Sequence, residues 1–144
     1  MTVSPVRQGR EMRTAMYGPQ IVTGPFTPPT VTSTLWTVAN GNILVTSMFV
    51  VITTAMSGTA TTLNVGFSGT GGTATALMNA GVLTSLAVGA LVSGVPNITT
   101  EIPPATGGVS VTTGVINWIA SAVQTGLVKV YMNYIPLDSD VTVG

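Results

Sequence analysis

Cysteine and histidine are both absent from this sequence of 144 residues. Without cysteine the chain can form no disulfide, and it offers neither a thiolate nucleophile nor a thiolate ligand for a metal. Without histidine it lacks the commonest general base and the commonest metal ligand of proteins. These two absences argue against an enzyme and against a resident metal.

Charged side chains are scarce as well. They make up 6% of the chain, against roughly 25% in ordinary soluble domains, and none lies between Arg13 and Glu101. Because the net charge is zero, no basic field draws the chain to nucleic acid. A free monomer with so neutral a surface tends to self-associate. We therefore expect partners to cover much of the surface; the alternative is a surface kept soluble by threonine hydroxyls.

A hydrophobic run that could cross a bilayer is also missing, although the mean hydropathy is +0.58. Residues 43–56 are too few for a span of ~20 residues. Residues 77–95 approach that length but contain Asn79, Gly81 and Thr84, and neither stretch has a flanking Lys or Arg to anchor it. The sequence therefore predicts a protein that does not enter a membrane.

Half of the charged residues lie within residues 1–18, where strand-like alternation is absent. We predict an extended N-terminal docking arm over residues 1–18 and a β-sandwich domain over residues 19–144. Arginines bind carboxylates through paired hydrogen bonds, and an acidic pair near the C-terminus is complementary to the arm across a subunit boundary. The predicted docking residues are Arg7, Arg10, Arg13, Asp138 and Asp140. A solvated terminus is the alternative.

From residue 19 onward the composition is typical of β-structure. Thr, Val and Gly dominate, and Pro or Gly recurs at intervals near the roughly 8–12 residues expected of a sandwich or barrel. We predict strands over residues 30–38, 42–56, 59–67, 86–92, 97–102, 109–119 and 127–135, with a short helix or an irregular crossing over 75–83. These segments predict an all-β fold, a single-domain jelly-roll-like β-sandwich of about eight antiparallel strands.

Several details of this sandwich follow from single residues. Asn40-Gly41 is typical of a two-residue hairpin turn, and we expect it to join the first two strands as a hairpin. The strand over residues 42–56 is long enough to bend and serve two sheets. Gly114 is a candidate bulge, and Pro136 should end the last strand because proline cannot donate to a ladder.

A catalytic constellation is not visible in the sequence. Hydroxyl groups are abundant, but only Lys129 could stand in for a histidine base. Asp138-Ser139-Asp140 starts like a calcium loop, but the later ligands are missing because positions 141 and 143 are valine. The glycine-rich stretch 66–72 has no lysine and so differs from a phosphate-binding Walker loop. We expect no enzymatic activity, no metal and no cofactor.

The few aromatic residues mostly fall in predicted strands, where packing in the core is the first expectation. They form no platform with basic residues of the kind that binds single-stranded nucleic acid. A carbohydrate site would need an exposed tryptophan or tyrosine, and Trp36 and Trp118 are the candidates for it.

The sequence resembles the small head decoration, or cement, proteins of tailed bacteriophages. The likeness covers most of residues 19–144 and rests on a polar N-terminal arm, on strands rich in Thr, Val and Gly, and on a closing segment. The closing segment is Tyr134-Ile135-Pro136-Leu137-Asp138 followed by Val141-Thr142-Val143.

This resemblance implies a jelly-roll-like fold on the outer surface of a virion capsid. It implies a homo-oligomer, a dimer or a trimer, that clamps adjacent subunits of the major capsid protein and has no catalytic residues. The alternatives are another phage structural component, such as a tail, fibre or baseplate module, and a carbohydrate-binding β-sandwich module.

Overall fold

The computed structural model describes residues 18–69, 75–93 and 109–144, and this part of the chain contains ten β-strands and no helix. The strands are β1 (Gln20–Phe26), β2 (Ser33–Ala39), β3 (Ile43–Thr54), β4 (Thr62–Gly69), β5 (Thr75–Val82), β6 (Leu91–Ser93), β7 (Val109–Val111), β8 (Gly114–Ala120), β9 (Leu127–Pro136) and β10 (Thr142–Val143).

The strands form two antiparallel sheets of five strands each, which pack on a shared core. Sheet A has the order β1-β9-β3-β6, and β7 pairs with β3 as well; sheet B has the order β10-β2-β8-β4-β5. The pairs are nested along the chain: β4 pairs with β5, β3 with β6 and β7, β2 with β8, and β1 with β9. The all-β sandwich expected from the sequence is confirmed.

Alternation along each strand sends one face into the core. In β3 the side chains of Ile43 and Val45 are buried, and the next buried ones are Met48, Val50 and Ile52. The pairing of β3 with β9 shifts register between Val45 and Ser47, and this bulge moves the alternation by one residue. Apolar side chains from both sheets thus meet in one cluster.

The turn at Asn40-Gly41 does not make the expected hairpin. Both residues have positive φ, 61° and 151°, as such a turn requires. However, β2 lies in sheet B and β3 in sheet A, so the turn carries the chain from one sheet to the other. The expectation that the long strand serves two sheets is also wrong, because all of β3 belongs to sheet A.

Other segments differ from the sequence-based prediction in type or extent. Residues 75–82 are strand β5 rather than a helix or crossing, and of residues 86–92 only the last two are strand. The strand expected over 109–119 is two strands, β7 in sheet A and β8 in sheet B. Gly114 begins β8 instead of forming a bulge. A glycine is needed there because a Cβ would collide with the backbone of Ser68 and Gly69.

Two strands at the sheet edges were not predicted at all. β1 contains Gly24 and Pro25, which are poor strand residues, and β10 has only two residues. The last long strand, β9, ends at Pro136 as expected. The strand predicted over residues 97–102 and residues 1–17 of the predicted arm lie outside the described residues.

Candidate interaction surfaces

The residues predicted to dock a neighbour are only partly described. Arg7, Arg10 and Arg13 lie outside the described residues. Asp138 and Asp140 are exposed in the connection between β9 and β10. The pairing of these arginines with the two carboxylates therefore stays a prediction.

Asp138 has a partner within its own chain. Its Oδ2 accepts hydrogen bonds from the backbone N–H of Asn42 at 2.6 Å and from Asn42 Nδ2 at 3.0 Å. The carboxylate lies so close to the turn before β3 that a Cβ at Gly41 would stand 2.7 Å from Asp138 Cβ. Asp138 thus joins two turns at one end of the sandwich, whereas Asp140 Oδ1 accepts only from Ser139 Oγ among the described residues, at 3.3 Å.

Both tryptophans are core residues. Trp36 is 3% exposed and Trp118 is 5% exposed. A ring that stacks on a sugar must present a face to solvent, and these two do not. The tryptophan-based carbohydrate site considered from the sequence is therefore not formed.

The outer surface of sheet A carries apolar side chains. Along β9 the side chains of Val128, Val130 and Met132 are fully buried, so the residues between them point outward. Two neighbouring rows of cross-strand partners lie on this outer side, one across β1, β9 and β3 and the other across β9, β3 and β6. We call the set the aromatic face: Val22, Tyr131 and Phe49 in one row, and Lys129, Val51 and Leu91 in the other.

A stacked ring pair forms the centre of the aromatic face. The rings of Phe49 and Tyr131 have centroids 4.9 Å apart and planes 7° apart. Val22 is 50% exposed and Leu91 is 62% exposed. Within the described residues, Lys129 is the single basic side chain of the protein. The aromatic face is thus an apolar surface with one positive charge.

A polar row borders the aromatic face on the side away from Lys129. It consists of Gln20, Asn133 and Ser47 on β1, β9 and β3. Asn133 Oδ1 accepts from Gln20 Nε2 at 3.3 Å and from Ser47 Oγ at 3.1 Å. Because these groups hydrogen-bond to one another, the row forms a polar border along this edge of the apolar surface.

Four loops meet at the end of the sandwich where β9 begins, and we call residues 27–32, 55–61, 83–90 and 121–126 the loop end. Three loops each expose a valine: Val31 is 70% exposed, Val88 64% and Val123 70%. The loop end contains no ionisable side chain. Exposed apolar loop residues on a rigid scaffold are typical of contact surfaces.

A buried glutamine ties the loop end together. Gln124, 2% exposed, accepts at Oε1 from the backbone N–H and the hydroxyl of Ser57, both at 2.8 Å. Its Nε2 donates to Thr59 O at 2.9 Å and to Thr61 Oγ1 at 2.8 Å. Since a buried amide is stable only when its polar groups are paired, Gln124 locks the β8–β9 loop to the β3–β4 loop.

One sequence signal could have revealed the aromatic face. Residues 48–52 read Met-Phe-Val-Val-Ile without a polar interruption. A strand with one face in water normally alternates, and a continuous apolar run indicates that both faces are covered. The run lies within the strand predicted over residues 42–56, and its continuity is the signal that the outward side of that strand is apolar as well.

Metal-ligand clusters and membrane-spanning helices are both missing from the described residues. No group of three or more Asp, Glu, His or Cys that could hold a metal occurs in this part of the chain. It also contains no helix of the length and hydrophobicity needed to span a membrane. No family model, curated protein or solved structure matches the chain.

Proposed function

We propose that the protein is a non-enzymatic structural component of a virus-type particle, a decoration or cement protein on the outside of a tailed-phage head. In this role it binds the major capsid protein and stabilises contacts between adjacent capsid subunits. The observation that carries the proposal is the aromatic face, an apolar outer sheet surface whose border residues Val22 and Leu91 are 50% and 62% exposed. Such a surface favours burial against another protein.

The chemistry of both surfaces fits a permanent assembly. Obligate interfaces are more apolar than the ordinary protein surface and have few charges at their centre. The aromatic face contains one charge and the loop end none. A clamp also needs two separate contact areas, since simultaneous contacts to two subunits add by multivalency. The aromatic face and the loop end supply these two areas.

The nested strand pairing supports the jelly-roll part of the proposal. An antiparallel ribbon that pairs its first strand with its last and folds back on itself gives two interleaved Greek keys. The pairs β1·β9, β2·β8, β3·β6 with β3·β7, and β4·β5 have this nesting. We propose that dimers or trimers of this sandwich occupy the shell, held by the N-terminal arm through Arg7, Arg10 and Arg13.

The decisive experiment is cryo-electron microscopy of particles that contain this chain. Density for the sandwich on the outer shell surface, with the aromatic face or the loop end against capsid subunits, is the expected result. Density in a tail, fibre or baseplate would replace the proposal with the second phage role. An absence of the chain from every particle would overturn both.

A separate experiment tests the arm. Particles stripped of the protein are mixed with the full chain or with a chain that lacks residues 1–18, and bound protein is measured after sedimentation. We expect the truncated chain to bind more weakly. Equal binding by the two chains would remove the arm from the proposal while leaving the aromatic face in it.

A further inference from the structure

A depression of about 370 Å³ lies on the outer surface of sheet B. Its centre is Gly66 of β4, which pairs with Asn117 of β8 on one side and with Ala76 of β5 on the other. Glycine has no side chain to fill its place in this row. The missing side chain at Gly66 opens the middle of a depression that extends over β4 and its neighbours β5 and β8.

Two amide side chains border the depression with their oxygens already in use. Asn64 Oδ1 accepts from the backbone N–H of Ala80 at 2.8 Å. Asn117 Oδ1 accepts from Thr34 Oγ1 at 3.4 Å. The Ala80 bond orients the Asn64 amide, and the longer Thr34 bond favours the same arrangement at Asn117. The Nδ2 groups, which bond to no described residue, are then the ones left to donate to a ligand.

The other lining residues decide the class of ligand. None of them is ionisable, so the site gives no preference to an anion or a cation. Ser68 adds a hydroxyl that can donate or accept, and Ile119 and Ala76 add apolar surface. A ligand that matches has acceptor groups at its edge, an uncharged body and an apolar C–H face, as a pyranose sugar does.

A peptide strand fits the depression less well than a sugar. Extended peptides gain most of their affinity by pairing with the free backbone of a sheet edge. Here β4 lies inside the sheet and pairs with β5 and β8, so its backbone groups are taken. The volume is at the lower end of the roughly 300–1,000 Å³ of small-molecule sites, which suits a single sugar ring.

We propose that the Gly66 depression, bordered by the amides of Asn64 and Asn117, binds a neutral saccharide. The site lies on the opposite sheet from the aromatic face and does not depend on the proposed particle role. Phe67 and Trp118 border the depression but are only 6% and 5% exposed, so neither offers a ring face for stacking. The affinity is therefore expected in the millimolar range.

The test is an NMR titration of the full, isotope-labelled chain with D-glucose, D-galactose and N-acetyl-D-glucosamine in turn. We expect at least one sugar to cause saturable shifts of the Asn64 and Asn117 side-chain NH₂ signals and of the Gly66 and Ser68 backbone amides. Shifts that stay linear with concentration, that occur elsewhere, or that are absent for all three sugars would overturn the proposal.

Variants separate specific binding from a general sugar effect. Gly66→Val fills the depression with a strand-compatible side chain and should abolish the shifts. Should this variant not fold, Asn117→Ala removes one donor and should weaken binding several-fold. Thr37→Val, on the same outer surface but outside the depression, is the matched control and should bind as the unchanged chain does. If a folded Gly66→Val variant binds the sugar as well as the Thr37→Val control does, the proposed site is wrong. The same holds if Asn117→Ala binds as well as the control.

Discussion

The two sheets of the sandwich present different outer surfaces to their surroundings. The outer surface of sheet B is lined by hydroxyls and amides such as those of Thr34, Thr37, Asn64 and Asn117, with Val82, Val115 and Ile119 as apolar exceptions. At equivalent positions sheet A has a stacked Phe49–Tyr131 pair flanked by aliphatic side chains. Both surfaces belong to strands with equally apolar inner sides.

This difference separates what folding requires from what assembly requires. The inner sides must be apolar for the sandwich to fold, but the outer side of an antiparallel sheet can face water and usually alternates to polar residues. Sheet B follows that rule. Because sheet A departs from it across four strands, its outer residues are better explained by a partner than by folding.

The largest expected effect is on particle binding. Phe49→Asp places a desolvated charge at the centre of the aromatic face, and we expect affinity for stripped particles to fall about 1,000-fold, as for a central interface residue. Thr37→Asp adds the same charge to the outer side of sheet B and should leave affinity within about threefold.

Co-sedimentation at a series of protein concentrations measures both affinities. Circular dichroism of each variant shows whether the sandwich is retained, and Phe49→Thr serves where the aspartate variant does not fold. If Thr37→Asp weakens binding as much as Phe49→Asp, the two outer surfaces do not differ in function.

Weakening the loop end should lower the stability of both sheets, because Gln124 joins two connections that run between them. Gln124→Ala removes the acceptor of the Ser57 N–H and hydroxyl, and it removes one of the partners of Thr59 O and Thr61 Oγ1, which keep their bond to each other at 3.0 Å. We expect the free energy of unfolding to fall by about 1–3 kcal/mol, because the part-buried donors of Ser57 are left without an acceptor. Urea unfolding measures the loss, with the exposed neighbour Thr125→Ala as a control that should change by less than about 0.5 kcal/mol.

A fall of similar size in the Thr125 variant would show that the loop as a whole is fragile. No fall in the Gln124 variant would mean that water replaces the amide without loss, and that the loop end is not held by this residue.

The sandwich could be predicted from local composition, but its topology could not. The β-branched content and the Pro and Gly spacing of residues 30–135 are local signals, and they correctly indicated an all-β fold. Which sheet a strand joins depends on contacts distant in sequence. Asn40-Gly41 has the φ values of a hairpin, and nothing near it in sequence tells that β2 pairs with β8 instead of β3.

The functional surfaces were harder still to predict, for a different physical reason. Charged residues stand out in a chain with so few of them, and Asp138 was predicted to dock a neighbour for that reason. Its carboxylate instead accepts hydrogen bonds from Asn42 of its own chain. The aromatic face consists of residues that look like core residues in the sequence. Phe49 points outward and Met48 inward only because side chains alternate along the strand. The bulge between Val45 and Ser47 shifts this alternation by one residue, so counting along the sequence assigns the wrong side.

A smaller effect compares the pairs at the centre of the two outer surfaces. A double-mutant cycle with Phe49→Ala and Tyr131→Ala should give a coupling of about 0.5–1.5 kcal/mol, the range for stacked aromatic rings. The cycle with Thr34→Ala and Asn117→Ala should give less than about 0.5 kcal/mol, because an exposed hydrogen bond of 3.4 Å competes with water.

Thermal or urea unfolding of the unchanged chain, the single variants and the double variants supplies both couplings. A coupling of the aromatic pair near zero would mean that the rings are held by the sheet and not by each other. The pair would then be arranged for a partner rather than for stability.

Replacing two aliphatic residues of the aromatic face by threonine should have the smallest effect on folding. It also tests most directly whether this face causes the free chain to associate. Val22→Thr with Leu91→Thr keeps strand propensity, because threonine is β-branched, and should change unfolding by only a few tenths of a kcal/mol. Since a neutral protein with an open apolar patch associates with itself, the double variant should remain monomeric at concentrations where the unchanged chain forms larger species.

Sedimentation velocity measures the difference, and Val115→Thr on sheet B, the matched control, should associate as the unchanged chain does. If the control disperses the protein equally well, general polarity and not the aromatic face governs association; if neither variant does, the aromatic face is not the surface through which the free chain associates.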